Sequence, residues 1–412
     1  GRPQSLSNER DQVDDEDGQQ VQELRTAWLD EEPSEQGAKL LSALEFEDAE
    51  AAWKALLELR GSGQFRSLGD RGRRRLGELI PLLIQVIGTI ENPDTALQRV
   101  LSVLEGIIGR TTYVALLVEN PTALSRFISL CAASPWISGQ IQQQPILLDS
   151  LLDPRLLYKP PRGEDLVAEL DQILEPIAAD DLEHRMDSLR RFRHEQMLRI
   201  AAADVTNSIP LMVVSDHLTE LAEAIVRQAL AEAWSELSKR YGQPVRDDGS
   251  VASFIVVGYG KMGGIELGYG SDLDVVFLHD GAPDANTDGE KTLSHHAFFL
   301  RLAQRIIHML ATQTGGGRAY EIDTRLRPSG KSGLLVTSLP AFRSYQEDKA
   351  WTWEHQALVR ARAVAGDEKL SELFTESRNQ VLSRKRNWEE LAEQVVSMRR
   401  KMREHLDGSN PE

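Results

Sequence analysis

The chain has 412 residues, a formal net charge of −17 at pH 7 and a single cysteine, Cys131. This length predicts two or three domains, and one cysteine excludes an internal disulfide. The negative charge excludes nucleic acid as a default partner, because an acidic surface repels phosphate backbones. Charges interrupt every apolar stretch before the roughly 18 to 20 residues that cross a bilayer, and no signal pattern opens the chain, so we expect a cytoplasmic protein without membrane contact.

Helical patterns dominate the first half of the chain. Residues 1–20 are polar, acidic and without periodicity, so we expect them to be disordered. From residue 21 to residue 242, apolar residues recur at intervals of three and four, which predicts a helical domain. A capping side chain precedes a proline at three places, Asn92–Pro93, Asn120–Pro121 and Asp153–Pro154. Each pair is typical of a helix start.

A change of composition near residue 250 marks a second domain. Between residues 250 and 368, short runs rich in β-branched residues flank one strong helical pattern, which predicts a small mixed sheet. Residues 369–412 return to a helical pattern and are expected to form a C-terminal helical segment. The predicted fold class is therefore α+β and mostly helical.

A glycine-rich stretch follows the first predicted strand of this second domain. "GYGKMGG" matches G-x-G-x-x-G at Gly258, Gly260 and Gly263, with Asp280 about twenty residues further on, which is typical of a dinucleotide-binding turn. That motif requires a long helix after the third glycine. Further glycines stand before the next strand, and each costs a helix about 1 kcal/mol relative to alanine. We therefore predict a loop between neighbouring strands, with the position of Asp280 a coincidence.

Two carboxylates begin the next predicted strand, in the motif "GSDLD". Asp272 and Asp274 are separated by one residue, a spacing that in a strand aims both side chains at one face, roughly 6 to 7 Å apart. Like charges held so close favour a cation between them, so the pair predicts a divalent metal site. Gly270 and Ser271 directly precede the pair, and their backbone amides and hydroxyl can approach phosphate oxygens.

A third carboxylate is offered by the stretch "YEIDTRLRPSGKSG". Its alternation predicts a strand whose charged face carries Glu321, Asp323, Arg325 and Arg327. Asp323 is the candidate third metal ligand, and Glu321 is the alternative candidate. The two arginines and Lys331 can neutralise a polyphosphate, so the combined site predicts metal-dependent phosphoryl or nucleotidyl transfer. The alternative for this strand alone is a solvated edge strand with ion pairs.

The stretches "GYGKMGGIELGYGSDLDVVFLHD", "EIDTRLRPSGKSG" and "WTWEHQALVRARAVAGD" resemble the nucleotidyltransferase domain of the DNA polymerase beta superfamily, as it occurs in bacterial glutamine synthetase adenylyltransferases. The resemblance covers about residues 40–403 and implies a polymerase beta-like domain. It implies transfer of AMP from ATP to a tyrosine of glutamine synthetase, with two Mg²⁺ ions as cofactors. The PII signal protein and glutamine are the regulators it implies. Family members carry two such domains, and "GYGSDLD" resembles the second, so we expect the adenylylating half without the deadenylylating half.

The resemblance also implies roles for individual residues. Asp272, Asp274 and Asp323 match the family's metal ligands and are the predicted catalytic residues. The predicted nucleotide-binding residues are Lys261, Gly263, Gly264, Gly270, Ser271, Arg325, Arg327 and Lys331.

Alternatives stay open for the function, for two tryptophans and for one basic stretch. A deadenylylating half would remove AMP by phosphorolysis, and a dinucleotide-binding or regulatory scaffold module would need a helix after Gly263. Trp351 and Trp353 are expected in the core, although they could line an adenine pocket. The basic stretch "DSLRRFRHEQMLRI" is expected to be a solvated face, although it could face a phosphate.

Overall fold

The computed structural model describes residues 18–30, 35–314 and 316–407. Residues 1–17, most of the segment predicted to be disordered, lie outside the described residues, and residues 18–20 are helical. The chain divides into two compact units. One comprises the described residues up to Pro160 together with His194–Ile209, and the other comprises Pro161–Arg193 and the described residues from Pro210 onward.

The described residues of the first unit form helices and turns. Its helices are α1 (residues 18–29), α2 (Gln36–Ser42), α3 (Ala49–Gly61), α4 (Gly63–Arg66), α5 (Asp70–Ile87), α6 (Pro93–Ile107), α7 (Thr111–Glu119), α8 (Pro121–Ala133), α9 (Pro135–Gln143), a 3-10 helix (Pro145–Leu151) and α10 (Pro154–Leu157).

All three predicted helix starts in this unit are confirmed. Helices α6, α8 and α10 begin at Pro93, Pro121 and Pro154, where the missing N–H of proline costs nothing because first-turn donors have no helical partner. At the third start, the Asp153 carboxylate accepts a hydrogen bond from the Arg155 backbone N–H at 2.8 Å. The expected caps by Asn92 and Asn120 are wrong, because neither side chain accepts from its helix, and Asn120 donates to the Leu116 backbone oxygen at 2.9 Å instead. These starts therefore follow from local sequence alone.

The second unit contains the sheet. Its helices are α11 (Gly163–Leu174), α12 (Leu182–Val205, in this unit up to Arg193), α13 (Leu211–Tyr241), α14 (Gly260–Gly263), α15 (His295–Ala311), α16 (Leu339–Asp348), α17 (Thr352–Leu358), α18 (Glu368–Leu382) and α19 (Trp388–Asp407). Its strands are β1 (Phe254–Gly258), β2 (Leu273–His279), β3 (Ile322–Asp323), β4 (Val336–Ser338) and β5 (Arg362–Gly366), with a 3-10 turn at Gly330–Ser332. The predicted fold class, α+β and mostly helical with a small mixed sheet, is confirmed.

Strand β2 organises the sheet, whose order is β3-β2-β1-β5 with β4 also paired to β2. Strand β1 is antiparallel to β2 and β5, whereas β3 and β4 are parallel to β2. Strand β3 pairs with Leu273 and Asp274, and β4 pairs with Phe277 to His279. The loop 324–335 thus leaves one edge of β2 and returns to the same edge.

Both faces of the sheet are covered, which explains why all five residues of β1 are buried. On one face, the Phe254 ring stacks on Phe277 at 5.9 Å and on Phe299 of α15 at 5.7 Å. On the other face, Ile255 lies in a core cluster that includes Phe342 of α16. Burial on both faces fixes the position of the β1 and β2 ends that carry the predicted site.

The predicted core position of the two tryptophans is wrong. Trp351 is 69% exposed and Trp353 is 38% exposed. The physical reason is that α17 turns another of its residues inward. Glu354 is buried, and its carboxylate accepts hydrogen bonds from the Tyr345 hydroxyl and the Trp351 backbone N–H, each at 2.8 Å.

The solvated face predicted for the basic stretch is wrong at Arg190. Its side chain is fully buried and donates to the backbone oxygens of Met309 at 3.3 Å and Thr312 at 3.0 Å. These carbonyls lie at the end of α15, where helical acceptors lack their own partners. Arg190 also pairs with Asp187 at 3.3 Å, so it fastens α12 to the end of α15.

Within the described residues, no single helix is long and apolar enough to cross a membrane. The pair α7 and α8, bent by 107°, meets that test by length and composition alone.

Candidate active site

The glycine-rich stretch forms a loop, as predicted. Only one helical turn, α14, follows β1, and β1 runs antiparallel to β2 without a crossover helix. Glycine at position 263 is explained by packing, because a β-carbon there would overlap the backbone oxygens of Arg360 and Gly258. The Asp280 carboxylate accepts from the Ser253 backbone N–H at 2.6 Å, so this acidic residue closes the far end of the strand pair.

Asp274 lies where β2 passes this glycine turn. The side chain is half-buried, and its carboxylate lies so close to Gly260 that a β-carbon there would overlap Oδ2. Asp272 stands just before β2 and is exposed. Burial raises the pKa of Asp274, and the negative charges of Asp272 and Asp323 raise it further. The three carboxylates therefore form one electrostatic group.

Asp323 reaches this group through strand pairing. In the parallel register, Asp323 lies beside Asp274 and Ile322 lies beside Leu273. The longer strand predicted through Arg327 is wrong, because β3 contains only Ile322 and Asp323. The chain turns after Asp323, whose carboxylate accepts from the Arg325 backbone N–H at 2.8 Å and from Arg325 Nε at 2.6 Å. That hydrogen bonding lowers the pKa of Asp323.

The predicted cations occupy different surroundings. Arg325 is 66% exposed and pairs with Asp323. Arg327 serves its own loop, donating to the backbone oxygens of Thr324 at 2.8 Å and Gly333 at 3.1 Å. Lys331 is exposed in the 3-10 turn, and Lys261 is exposed on α14. Arg325, Lys261 and Lys331 are thus exposed cations close enough to act electrostatically on the acids, whereas the guanidinium of Arg327 is held by its loop.

Gly270 and Ser271 form an open approach to Asp272. Ser271 Oγ accepts from the Gly268 backbone N–H at 3.0 Å, and a β-carbon at Gly270 would meet nothing within 4 Å. A cavity of about 430 Å³ opens here, and its lining also includes Arg193 and Arg318. Arg193 lies in the basic stretch that was expected to be a solvated face, with a phosphate contact as the alternative, and Arg318 was not predicted to be part of the site. A signal existed for Arg193, which follows Asp187 and Arg190 at helical spacing on one face of α12.

No group of three or more His, Cys, Asp or Glu side chains is arranged to hold a metal ion in the part of the chain that the structure describes. One reason is visible at Asp323, whose carboxylate is occupied by Arg325. The chemistry of the donor set nevertheless suits a hard divalent cation, because the three acids are oxygen ligands. Their mutual repulsion, seen at Asp274, is what a cation relieves.

The mixed sheet, with paired acids at the start of β2 and a third on β3, is consistent with an α+β nucleotidyltransferase-like fold. The sequence profile of the glutamate-ammonia ligase adenylyltransferase family matches residues 124–377. The chain belongs to that family, as its motifs predicted.

Curated relatives agree with this assignment. The chain is 50% identical over 383 residues to the bifunctional glutamine synthetase adenylyltransferase/adenylyl-removing enzyme of Thioalkalivibrio sulfidiphilus, covering 92% of this chain and 40% of the relative. It is 49% identical over 399 residues to the enzyme of the same name from Pseudomonas putida, covering 95% of this chain and 41% of the relative. For the Nitrosococcus oceani enzyme, the identity is 50% over 397 residues, with coverage of 95% and 41%. The chain thus spans about two fifths of the length of these relatives.

Proposed function

We propose that this chain transfers AMP from Mg-ATP to a tyrosine hydroxyl of glutamine synthetase and releases pyrophosphate. The observation that carries the proposal is the register that sets Asp323 beside Asp274, with Asp272 just before the same strand. Family membership supports it, as do the relatives' names, which describe glutamine synthetase adenylyltransferases. The motif "GYGSDLD" favours the adenylylating half.

The different surroundings of the acids support different roles. Arg325 keeps Asp323 ionised, which suits a metal ligand better than a proton acceptor, so we assign Asp323 to the metal on the side where the tyrosine hydroxyl loses its proton. Asp274 is half-buried among like charges and gains most from a cation, so we assign it, with Asp272, to the metal that accompanies ATP. Arg325 is exposed and can turn to the phosphate charge when Asp323 takes up its role.

The transfer is a displacement at the α-phosphorus of ATP. The tyrosine oxygen bonds to this phosphorus, the bond to the oxygen that bridges to the β-phosphate breaks, and the electron pair leaves with pyrophosphate. The phenolic proton passes to solvent on the side where Asp323 lies. Gly270, Ser271 and Lys261 orient the phosphates in this scheme.

Two Mg²⁺ ions are part of this proposal, because carboxylate oxygens and nucleotide phosphates are their preferred ligands. Asp272, Asp274 and Asp323 are the residues that would hold them, with Asp323 giving up part of its pairing with Arg325. When bound, magnesium supplies neutralisation of phosphate charge and a lower pKa for the attacking hydroxyl.

Regulation and location belong to the same proposal. We assign glutamine synthetase as the protein substrate, with the PII signal protein and glutamine as regulators. Both regulators are implied by the family resemblance. We propose a cytoplasmic location because the protein substrate, glutamine synthetase, is an enzyme of nitrogen assimilation.

Incubation with glutamine synthetase, Mg²⁺ and ATP labelled at the α-phosphate tests the proposal. We expect label to enter glutamine synthetase, and Asp274→Asn to reduce this by at least ~100-fold, the low end for loss of one positioned catalytic group. Asp284→Asn is the matched control, since Asp284 is an exposed carboxylate of the same unit outside the site. Phosphate-dependent release of ADP from adenylylated glutamine synthetase would instead assign the chain to the reverse reaction.

A further inference from the structure

The cavity beside the paired acids opens on one side of them. Its lining includes Gly270, Ser271 and Asp272 but neither Asp274 nor Asp323. A ligand seated there therefore reaches the acids through Asp272. The volume, about 430 Å³, lies within the range of small-molecule sites.

Arg193 enters the cavity from a rigid support. One turn before it, Arg190 fastens α12 to the end of α15, and Thr314 Oγ1 donates to Asp187 at 3.0 Å. The Arg193 guanidinium lies 4.6 Å from the centroid of the buried Tyr320 ring and donates a hydrogen bond to the Tyr320 hydroxyl, while its Nε is buried without an acceptor. A buried donor without an acceptor is costly, so this group favours an anionic ligand.

Arg318 contributes the second positive charge. It pairs with Glu321, whose side chain is 71% exposed, and its own Nε is buried without a hydrogen-bond partner. Ion pairs with a largely exposed partner contribute little to stability, so a phosphate can replace Glu321 at small cost. Two guanidinium groups and a Gly–Ser backbone line the cavity together with the carboxylates of Asp272 and Glu321. The cavity therefore offers a local anion site once a phosphate displaces Glu321 and Mg²⁺ neutralises Asp272.

We propose that Arg193 and Arg318, which lie outside the motifs that carry the family resemblance, pair in this cavity with the charge of the β- and γ-phosphates, the diphosphate that leaves as pyrophosphate. The inference rests on the proposed function and adds the position of the leaving group to it. Pyrophosphate then departs on the Asp272 side while the tyrosine hydroxyl arrives on the Asp323 side, as in-line displacement requires.

Equilibrium binding of two probes in the presence of Mg²⁺, inorganic pyrophosphate and AMP, tests the inference without catalysis. We expect Arg193→Met to weaken pyrophosphate binding by about 10-fold to 100-fold, the effect of losing charge-assisted hydrogen bonds, and to leave AMP binding unchanged. Arg318→Met should act in the same direction. It provides an independent test if Arg193→Met fails to fold. Arg301→Met is the control, since the Arg301 guanidinium lies 5.0 Å from the Tyr241 ring centroid in the same unit, away from the cavity.

The outcomes separate the two proposals. Unchanged pyrophosphate affinity in both Arg193→Met and Arg318→Met would overturn the inference, and so would an equal loss in Arg301→Met or an equal loss of AMP affinity. AMP transfer by the unsubstituted chain, measured alongside, would leave the proposed function standing in each of these cases. An unsubstituted chain that neither binds Mg-ATP nor transfers AMP would overturn both.

Discussion

The carboxylate of Asp274 lies against the α-carbon of Gly260, so closely that only glycine leaves room for it. Gly260 also has φ +53°, a left-handed backbone conformation that residues with a β-carbon adopt at a cost. The turn at Gly260 and the Asp274 side chain thus form one structural feature, because the backbone of the turn limits where the Asp274 carboxylate can lie.

Gly260→Ala should displace the Asp274 carboxylate and lower AMP transfer by at least ~100-fold, as loss of a positioned catalytic group does. The left-handed backbone should also cost about 1–2 kcal/mol of stability. Gly249→Ala is the matched control, because Gly249 has φ +82° but nothing within 4 Å of a β-carbon. Comparable loss of transfer in both variants would show that strain alone, not displacement of Asp274, is responsible.

Asp323→Asn should leave Mg-ATP affinity nearly unchanged while lowering turnover at saturating nucleotide by at least ~100-fold. Asp274→Asn should weaken Mg-ATP binding as well, because it removes a ligand of the metal that accompanies ATP. Titration of Mg-ATP into each variant, with AMP transfer measured at saturation, separates the two roles. Near-normal turnover in Asp323→Asn would move the third carboxylate role to Glu321.

Glu223→Gln should destabilise the second unit by about 2–3 kcal/mol. The Glu223 carboxylate is buried and accepts from Arg227 at 2.8 Å and from Arg362, which in turn donates to the Met262 backbone oxygen in the glycine turn at 3.3 Å. Removal of its charge leaves two guanidinium groups without their counter-ion. Urea unfolding measures the change in unfolding free energy.

The control for Glu223→Gln is Glu347→Gln. The Glu347–Arg384 pair spans 3.0 Å with side chains 48% and 40% exposed, so its loss should change stability by no more than about 1 kcal/mol. Equal effects of the two substitutions would contradict a special role for the buried Glu223 carboxylate.

Stability should fall as pH decreases from 6.5 toward 4 because of His279. Burial, with smaller effects of His296 and His295, lowers the pKa of His279 to about 4 from its ordinary value of 6.5. The unfolded chain therefore binds the proton first, and His279 contributes up to about 3 kcal/mol that is present above pH 6.5 and lost below it. In the folded chain, neutral Nδ1 accepts from the Gly281 backbone N–H at 3.1 Å.

The measurement is the unfolding free energy against pH for the unsubstituted chain and for His279→Asn, which keeps an acceptor for Gly281. The variant should show a shallower decline between pH 6.5 and pH 4, since it lacks the titrating group. Parallel curves would mean that other residues cause the acid sensitivity.

Local sequence signals predicted the parts of this fold that depend on local energetics. Proline at the helix starts and glycine after β1 act over a few residues, and both predictions are confirmed. One local signal was missed, and the predicted length of β3 was wrong: Asp323 accepts hydrogen bonds from Arg325, two residues further on, and these favour a turn over the strand that the alternating pattern predicted. The burial of Arg190 also escaped prediction, since its acceptors at Met309 and Thr312 are more than one hundred residues away in the chain.

Contacts between residues far apart in the chain also explain why the arrangement of the site could not be predicted from the sequence. Asp274 and Asp323 become neighbours only through the register of β2 and β3, which no spacing in the sequence reports. The carboxylates were recognisable as residue types, and the basic stretch containing Arg193 was a possible phosphate contact, but the position of Arg193 and Arg318 beside the acids depends on packing.

Strand β2 hydrogen-bonds to three other strands, and two of them, β3 and β4, enclose the loop 324–335 on one edge. Amide protons along β2 should therefore exchange with solvent near the slowest rate in this unit, whereas those between residues 324 and 335 should exchange faster. Of the three acids, Asp274 lies on the strand that should open least, whereas Arg325 and Lys331 lie on a segment that is joined to the sheet at both ends.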